Sequence, residues 1–158
     1  MIKIPEAIIK RIIQHANDEN PLEACGYLAG TGTRVTEIYP MTNEDHSPDH
    51  YSFNPEEQFA TMEKAQKKEL DLIAVYHTHP GTLASMSAED IRLAYDTSIY
   101  YVIYSLTKDH FKAFRVNSIE LITSSRSCLS FKESRFILFN NSSLSITHWS
   151  DNDINQPY

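Results

Sequence analysis

Apolar residues recur at helical spacing from Pro5 to Ala16, where Ile8, Ile9, Ile12, Ile13 and Ala16 share one side of a 3.6-residue period. An amphipathic helix therefore opens the chain, with Pro5 suited to its first turn and Pro21 beyond its end. The period then changes. Glu23 to Gly30 is a run of small and apolar residues closed by Gly30-Thr31-Gly32, which predicts a strand, a hairpin turn and a return strand from Arg34 to Tyr39. Met41 to Ser52 is polar and without period, hence a loop. At Asn54-Pro55-Glu56-Glu57 a second helix starts: Asn54 caps the first turn, Pro55 fits the first helical position and Glu57 completes a capping box. This helix is expected to reach Lys68 and to bury Phe59, Met62 and Ala65.

Leu70 to Tyr76 reads as a buried strand that runs straight into His77-Thr78-His79-Pro80. After a loop, Ser87 opens a third helix with Asp90 three residues on, continuing through Ile91, Leu93 and Ala94. Ser98 to Leu106 and Phe111 to Val116 are two further strands joined at Thr107-Lys108-Asp109. Helices and strands mix without a strict βαβ alternation, so the class is α/β of the α+β kind, a mixed or antiparallel sheet flanked by helices. From Asn117 onward the chain turns serine-rich, with apolar content gathered in Arg135 to Phe139 and Leu144 to Ile146 as one or two added strands, and Asp151 to Tyr158 as a frayed polar end. There is no internal repeat.

A length of 158 residues allows one compact domain, and 41 % hydrophobic against 22 % charged residues suffices for a core. The formal charge of −7, with no basic run longer than Lys67-Lys68, disfavours nucleic acid as a partner. Apolar runs fall far short of the roughly 20 residues a membrane span needs. Met1 to Glu6 carries no secretory pattern, so the expected location is cytoplasmic. Cys25 and Cys128 lack the spacing of a disulfide scaffold or a Cys-x-x-Cys metal site and are expected as free thiols.

The candidate chemistry centres on His77 and His79. Side chains two apart on a strand face the same way, so both imidazoles can meet one ion, and the following loop can bring Asp90 from the first turn of the next helix as third ligand. Two histidines and a carboxylate with a fourth position open describe a catalytic zinc site. Water activated there needs a base for its proton and an acid for the leaving amine, and Glu23 can serve as both; on position alone it also fits a solvated strand-edge glutamate. Ser87 fits an N-cap as well as an oxyanion donor, and Asp90 a capping acid as well as a ligand. Cys25 with His77 or His79 as base is the rival mechanism, against which a small buried thiol accounts for the same residue. His15, His46, His50, His110 and His148 have no partner at ligand spacing, although His46 and His50 can line the site through their loop.

Glu23, then His77-Thr78-His79-Pro80, then Ser87-x-x-Asp90 resembles the signature of the JAMM (MPN-plus, Mov34/PAD-1) metalloproteases. Pro21 to Leu28, Tyr51 to Phe59, Tyr104-Ser105-Leu106 and Ala113 to Val116 are similar to segments of the small prokaryotic branch, so the resemblance covers residues 1–117. It implies a mixed, curved β-sheet flanked by helices, the cytidine-deaminase-like JAMM/MPN architecture, with one Zn2+ per chain held by His77, His79 and Asp90. In the same terms Glu23 is the general acid–base and Ser87 the oxyanion residue. The implied reaction is hydrolysis of an amide or isopeptide bond after the C-terminal Gly-Gly of a ubiquitin-like or sulfur-carrier protein, some members of this branch removing a cysteine built onto the carrier. The chain departs from the branch in Met86, where a proline is usual before the serine, and in continuing through 118–158, an extension of unassigned role that can cap the sheet edge, mediate homodimerisation or be partly disordered. Two further readings stand beside the metallopeptidase: a non-catalytic MPN-type binding scaffold, and a zinc hydrolase acting on another amide such as a cell-wall or small-peptide bond.

Overall fold

The computed structural model describes residues 2–116, together with the backbone of two later strands. The element order is α1 (Glu6–Glu19), β1 (Cys25–Thr31), β2 (Arg34–Met41), α2 (Pro55–Lys67), β3 (Asp71–His79), α3 (Ala88–Leu93), β4 (Tyr100–Ser105), β5 (His110–Arg115), β6 (Arg135–Leu138) and β7 (Thr147–His148). The strands form a single sheet in the order β2-β1-β3-β4-β5-β6-β7. Only β3 and β4 run parallel, joined through α3, and every other neighbouring pair is antiparallel, so the sheet is mixed as expected. None of the described helices is long and apolar enough to cross a membrane.

Two apolar clusters divide the core by sheet face. On one face α1 lays Ile8, Ile12 and Ala16 over Leu28, Ala74, Tyr76 and Val102, with Ile2 and Ile4 from the segment before it. On the other, Val75, Tyr101, Ile103 and Phe114 pack with Ala84 and Ala94 and with Tyr27, Tyr51 and Phe53. The alternation of side chains along β3 sends Val75, His77 and His79 to this second face and Ala74, Tyr76 and Thr78 to the first. One strand thus carries both the floor of the core and the metal-ligand candidates.

Local chemistry explains where elements begin and end. The opening helix runs three residues past Ala16 because Gln14 donates to Asp18 at 2.7 Å and Asn17 to the Ile13 carbonyl at 2.9 Å, polar bonds that continue the helix after its apolar stripe has ended. Gly32 takes φ +60° in the β1–β2 turn, a conformation glycine adopts without strain. The strand predicted from Glu23 starts instead at Cys25, since the Ala24 N–H turns to the Thr78 hydroxyl at 2.8 Å rather than to a ladder carbonyl. Asn54 caps α2 as predicted, its Oδ1 accepting from the N–H groups of Glu56 and Glu57 at 2.9 and 3.1 Å. Glu57 closes no capping box: its carboxylate accepts from the Thr42 N–H at 3.0 Å, pinning the loop after β2.

The expected burial along α2 needs correction. Ala65 is buried as expected, with Thr61 beside it, but Phe59 and Met62 are 68 % and 51 % exposed; Met62 borders an open cleft rather than a closed core. Of the two later apolar segments, Arg135–Leu138 pairs with β5 as a strand, while Leu144 to Ile146 and the predicted frayed end from Asp151 lie outside the described residues.

Gly26 sits between Pro40 and Tyr76 in neighbouring strands, and a Cβ there would collide with the Tyr39 carbonyl oxygen and come within 2.7 Å of the Tyr76 ring. Gly26→Ala is expected to destabilise the fold by about 1–3 kcal/mol, measured by chemical denaturation, because backbone on one side and a buried ring on the other leave nothing free to yield.

Candidate metal centre

Three elements deliver the site. The end of β3 supplies His77 and His79, both buried, with their Nε2 atoms 3.1 Å apart. The first turn of α3 supplies Asp90, with Oδ1 3.3 Å from His77 Nε2 and Oδ2 3.8 Å from His79 Nε2. The segment entering β1 supplies Glu23, buried, with Oε1 3.7 Å from His79 Nε2. Extending the β1–β3 register beyond Cys25↔His77 places Ala24 opposite Thr78 and Glu23 opposite His79, which is why a residue so distant in sequence arrives beside the second imidazole.

Asp90 is oriented from its own helix. Ser87 Oγ accepts from the Asp90 N–H at 3.0 Å while Asp90 Oδ2 accepts from the Ser87 N–H at 2.7 Å, a reciprocal capping box that leaves Oδ1 for His77. Burial works against ionisation of Asp90, yet the bonds and charge of His77 and the bonds from Ser87 outweigh it and hold the carboxyl well below the usual carboxylate range. Glu23 shows the opposite balance: burial, then the nearby charges of Asp90 and Asp49, push it up to about 9. His79 is lowered, by burial first and by His77 second. Its Nδ1 bonds the Leu83 carbonyl at 2.7 Å, and since a carbonyl only accepts, that nitrogen carries the proton and Nε2 presents a lone pair inward.

The donor set fits a metal ion. Among the described residues His77, His79 and Asp90 form the group of potential ligands whose donor atoms all lie within 4.8 Å of one another. A tetrahedral ion with bonds of about 2.0–2.1 Å sets its ligands about 3.3 Å apart, close to the separations on His77 Nε2. Nitrogens and carboxylates converge here with no lysine or arginine among the described cleft-lining residues, a lining that suits a cation. His77 Nδ1 is buried without a hydrogen-bond partner, and the ring is held instead by the stacked Tyr51 at 4.9 Å between centroids.

The other candidates separate cleanly. Ser87 is exposed at the edge of the cleft, its Oγ accepting from the Asp90 N–H at 3.0 Å. Cys25 is a free thiol, fully buried, its Sγ 3.8 Å from the Met41 carbonyl; burial and the negative charge of Glu23 push it far up, the reverse of what a nucleophile needs. His50 lines the cleft while paired with Asp45 at 3.1 Å, whereas His46 lines a separate pocket with His15. Tyr51 and the Leu83 carbonyl are not among the site groups that the sequence singles out; the one signal that touches Tyr51 is the likeness of the segment Tyr51 to Phe59 to one in the small prokaryotic branch.

From the site a cleft of about 1000 Å³ runs along Tyr51, Phe53 and Tyr101 toward Leu70 and Asp71. Its lips carry exposed Met62 on one side and exposed Leu93 and Tyr95 on the other.

Residues 5–117 match the family described as prokaryotic homologs of the JAB domain. The chain is similar to the CysO-cysteine peptidase of Mycobacterium tuberculosis, at 31 % identity over 105 residues, 65 % of this chain and 72 % of that protein. It is also similar to a desampylase of Haloferax volcanii, at 30 % identity over 103 residues, 63 % and 74 % of the two chains. The solution structure of protein DSY2949 from Desulfitobacterium hafniense superposes with a TM-score of 0.67 at 37 % identity, covering 73 % of this chain and 84 % of that one.

Purified without chelator, the protein is expected to carry about one divalent metal ion per chain by elemental analysis, and Asp90→Ala to lose it. A second expectation concerns pH. In the metal-free protein the Glu23 carboxyl, normally near 4.5, is raised to about 9, so the folded state keeps a proton that the unfolded chain releases across that window. Stability of the metal-free protein therefore falls as pH rises through it. Glu23→Gln removes this dependence, and its melting temperature in chelator is expected to pull further above that of the wild type on going from pH 5 to pH 8.

Proposed function

This chain belongs to the prokaryotic homologs of the JAB domain and is a hydrolase, and we propose that it is a zinc-dependent peptidase cutting the amide or isopeptide bond after the C-terminal glycine of a ubiquitin-like or sulfur-carrier protein. The observation that carries the reading is the buried convergence of His77, His79 and Asp90 with Glu23 at its edge, Glu23 lying 3.7 Å from His79 Nε2. The likeness to a CysO-cysteine peptidase and to a desampylase supports a protein conjugate as substrate. Two nitrogens, one carboxylate and an open side toward the cleft suit zinc of the catalytic type. A free thiol at Cys25 suits a reducing, cytoplasmic compartment.

Bound zinc supplies Lewis acidity toward the scissile carbonyl and makes water there more acidic. The rest is done by the chain. Glu23 takes the proton of the attacking water and returns it to the leaving amine; a site that favours its protonated form suits the second half of that exchange. Asp90 stays ionised, so the two carboxyls have their titrations driven apart and divide into ligand and proton carrier. Ser87 Oγ, held in place by the bond it accepts from the Asp90 N–H, keeps its own O–H available to donate to the carbonyl oxygen as charge develops there. The cleft admits an extended chain end, while Met62, Leu93 and Tyr95 at its lips offer apolar surface to the folded body behind that tail. With the complete donor set and the base present together, no residue is missing in the way that marks a non-catalytic scaffold.

The test is metal-loaded protein against a carrier whose Gly-Gly end is joined to a lysine side chain, beside an unrelated short peptide. Cleavage of the conjugate after the glycine is expected, and cleavage of the short peptide alone would sink the substrate assignment. Glu23→Gln is expected to keep its zinc and to lose about 10²- to 10⁴-fold in kcat. Tyr95→Ala, at the lip, is expected to raise KM for the conjugate by about tenfold with kcat unchanged, as loss of binding that is equal in ground and transition states requires.

A further inference from the structure

Glu23 lies outside the sheet ladder, which begins at Cys25, so no strand hydrogen bond holds the backbone that carries it. Side chains and loop backbone hold it instead. The Glu23 N–H donates to the Ser47 carbonyl at 2.9 Å, the Glu23 carbonyl accepts from Asn43 Nδ2 at 3.1 Å, and the next N–H, of Ala24, donates to Thr78 Oγ1 at 2.8 Å. Three successive backbone groups around one carboxylate are thus fixed from two directions.

Both side chains involved are buried and committed to this task. Asn43 is 6 % exposed; its Nδ2 also reaches the carbonyls of His50 at 3.1 Å and Ser47 at 3.4 Å, and its Oδ1 accepts from the Asp45 N–H at 3.1 Å. It thereby winds the 44–50 loop around itself and brings the Ser47 carbonyl to the Glu23 N–H. Thr78 is fully buried between the two histidines in sequence but faces the opposite side of β3, so its hydroxyl ties the strand that carries the imidazoles to the segment that carries the glutamate.

We propose that Asn43 and Thr78 are positioning residues for Glu23, a clamp that sets the distance between the proton-carrying carboxyl and the metal ligands while touching neither substrate nor metal. This rests on the role proposed above for Glu23. Position matters for such a group because a displacement of about 1 Å can cost about 10²-fold in rate. The Thr78 hydroxyl is the sharper half of the clamp: valine preserves its shape and removes the acceptor, serine preserves the acceptor.

The experiment compares zinc-loaded wild type, Thr78→Val, Thr78→Ser and Asn43→Ala on the same Gly-Gly conjugate, with zinc content measured on each sample. It is paired with amide hydrogen exchange of the metal-free proteins read at Glu23 and Ala24. For Thr78→Val the expected result is full zinc, KM within about twofold and kcat lower by about 10- to 100-fold, with exchange protection lost at Ala24. Thr78→Ser is expected to recover both kcat and protection, and Asn43→Ala to lose kcat with protection at Glu23. Wild-type kcat in Thr78→Val overturns the proposal, as does loss of zinc in step with activity or unchanged exchange at Ala24. Should wild-type protein cleave no conjugate, the reaction assignment fails, and the exchange at Glu23 and Ala24 alone decides whether the clamp exists.

Discussion

The antiparallel register between β1 and β3 is the constraint on which the rest of the structure depends. Cys25 opposes His77, and the same register carried outward sets Glu23 against His79. Because side chains alternate with period two, a slip of one residue would turn Glu23 to the α1 face, where Thr78 and Tyr76 now lie, and take its carboxyl away from His79. The register is held sterically and by hydrogen bonds. Gly26 is the one residue type that lets the Tyr76 ring and the Tyr39 carbonyl close on the strand from either side, and the Thr78 hydroxyl anchors the strand's entry.

The site is polar and buried at the same time, and its local chemistry resolves that conflict group by group. Asp90 is ionised because His77 and the Ser87 cap surround it with donors. Glu23 is buried, with the carboxylates of Asp90 and Asp49 nearby and the His79 ring at 3.7 Å, and this balance favours its protonated form. A function that needs charge beneath an apolar cluster therefore works against the stability of the empty protein. The α1 side of the sheet, filled by Ile2, Ile4, Ile8, Ile12 and Leu28, carries no such conflict and supplies the compensating burial.

How much of this was legible in the sequence follows the range of the interactions. Caps are local, so Asn54 before Pro55 and the Ser87–Asp90 box were readable residue by residue, and the strand spacing of His77 and His79 announced a shared face. The apolar spacing of Phe59, Met62 and Ala65 on α2 looked like a core stripe, but burial depends on what lies opposite: Ala65 is covered, while Met62 faces a cleft and Phe59 faces out. Asn43 and Tyr51 sit in a loop without period, and their partners, the Glu23 carbonyl and the His77 ring, are brought to them by the fold alone. Thr78 was visible only as the middle letter of a histidine motif; its bond to Ala24 belongs to strand pairing, which no local pattern announces.

The short helix α3 buries none of its own side chains and spans six residues, yet it carries the third ligand candidate. A helix of that length has almost no intrinsic persistence in water and relies on its cap and on whatever its acidic residue grips. The reciprocal bonds between Ser87 and Asp90 therefore carry an unusual share of the order of this turn, and the contact of Asp90 with His77 adds to it. The crossover between the two parallel strands is in this sense a clasp, with Asp90 as the tongue that rests on the end of β3.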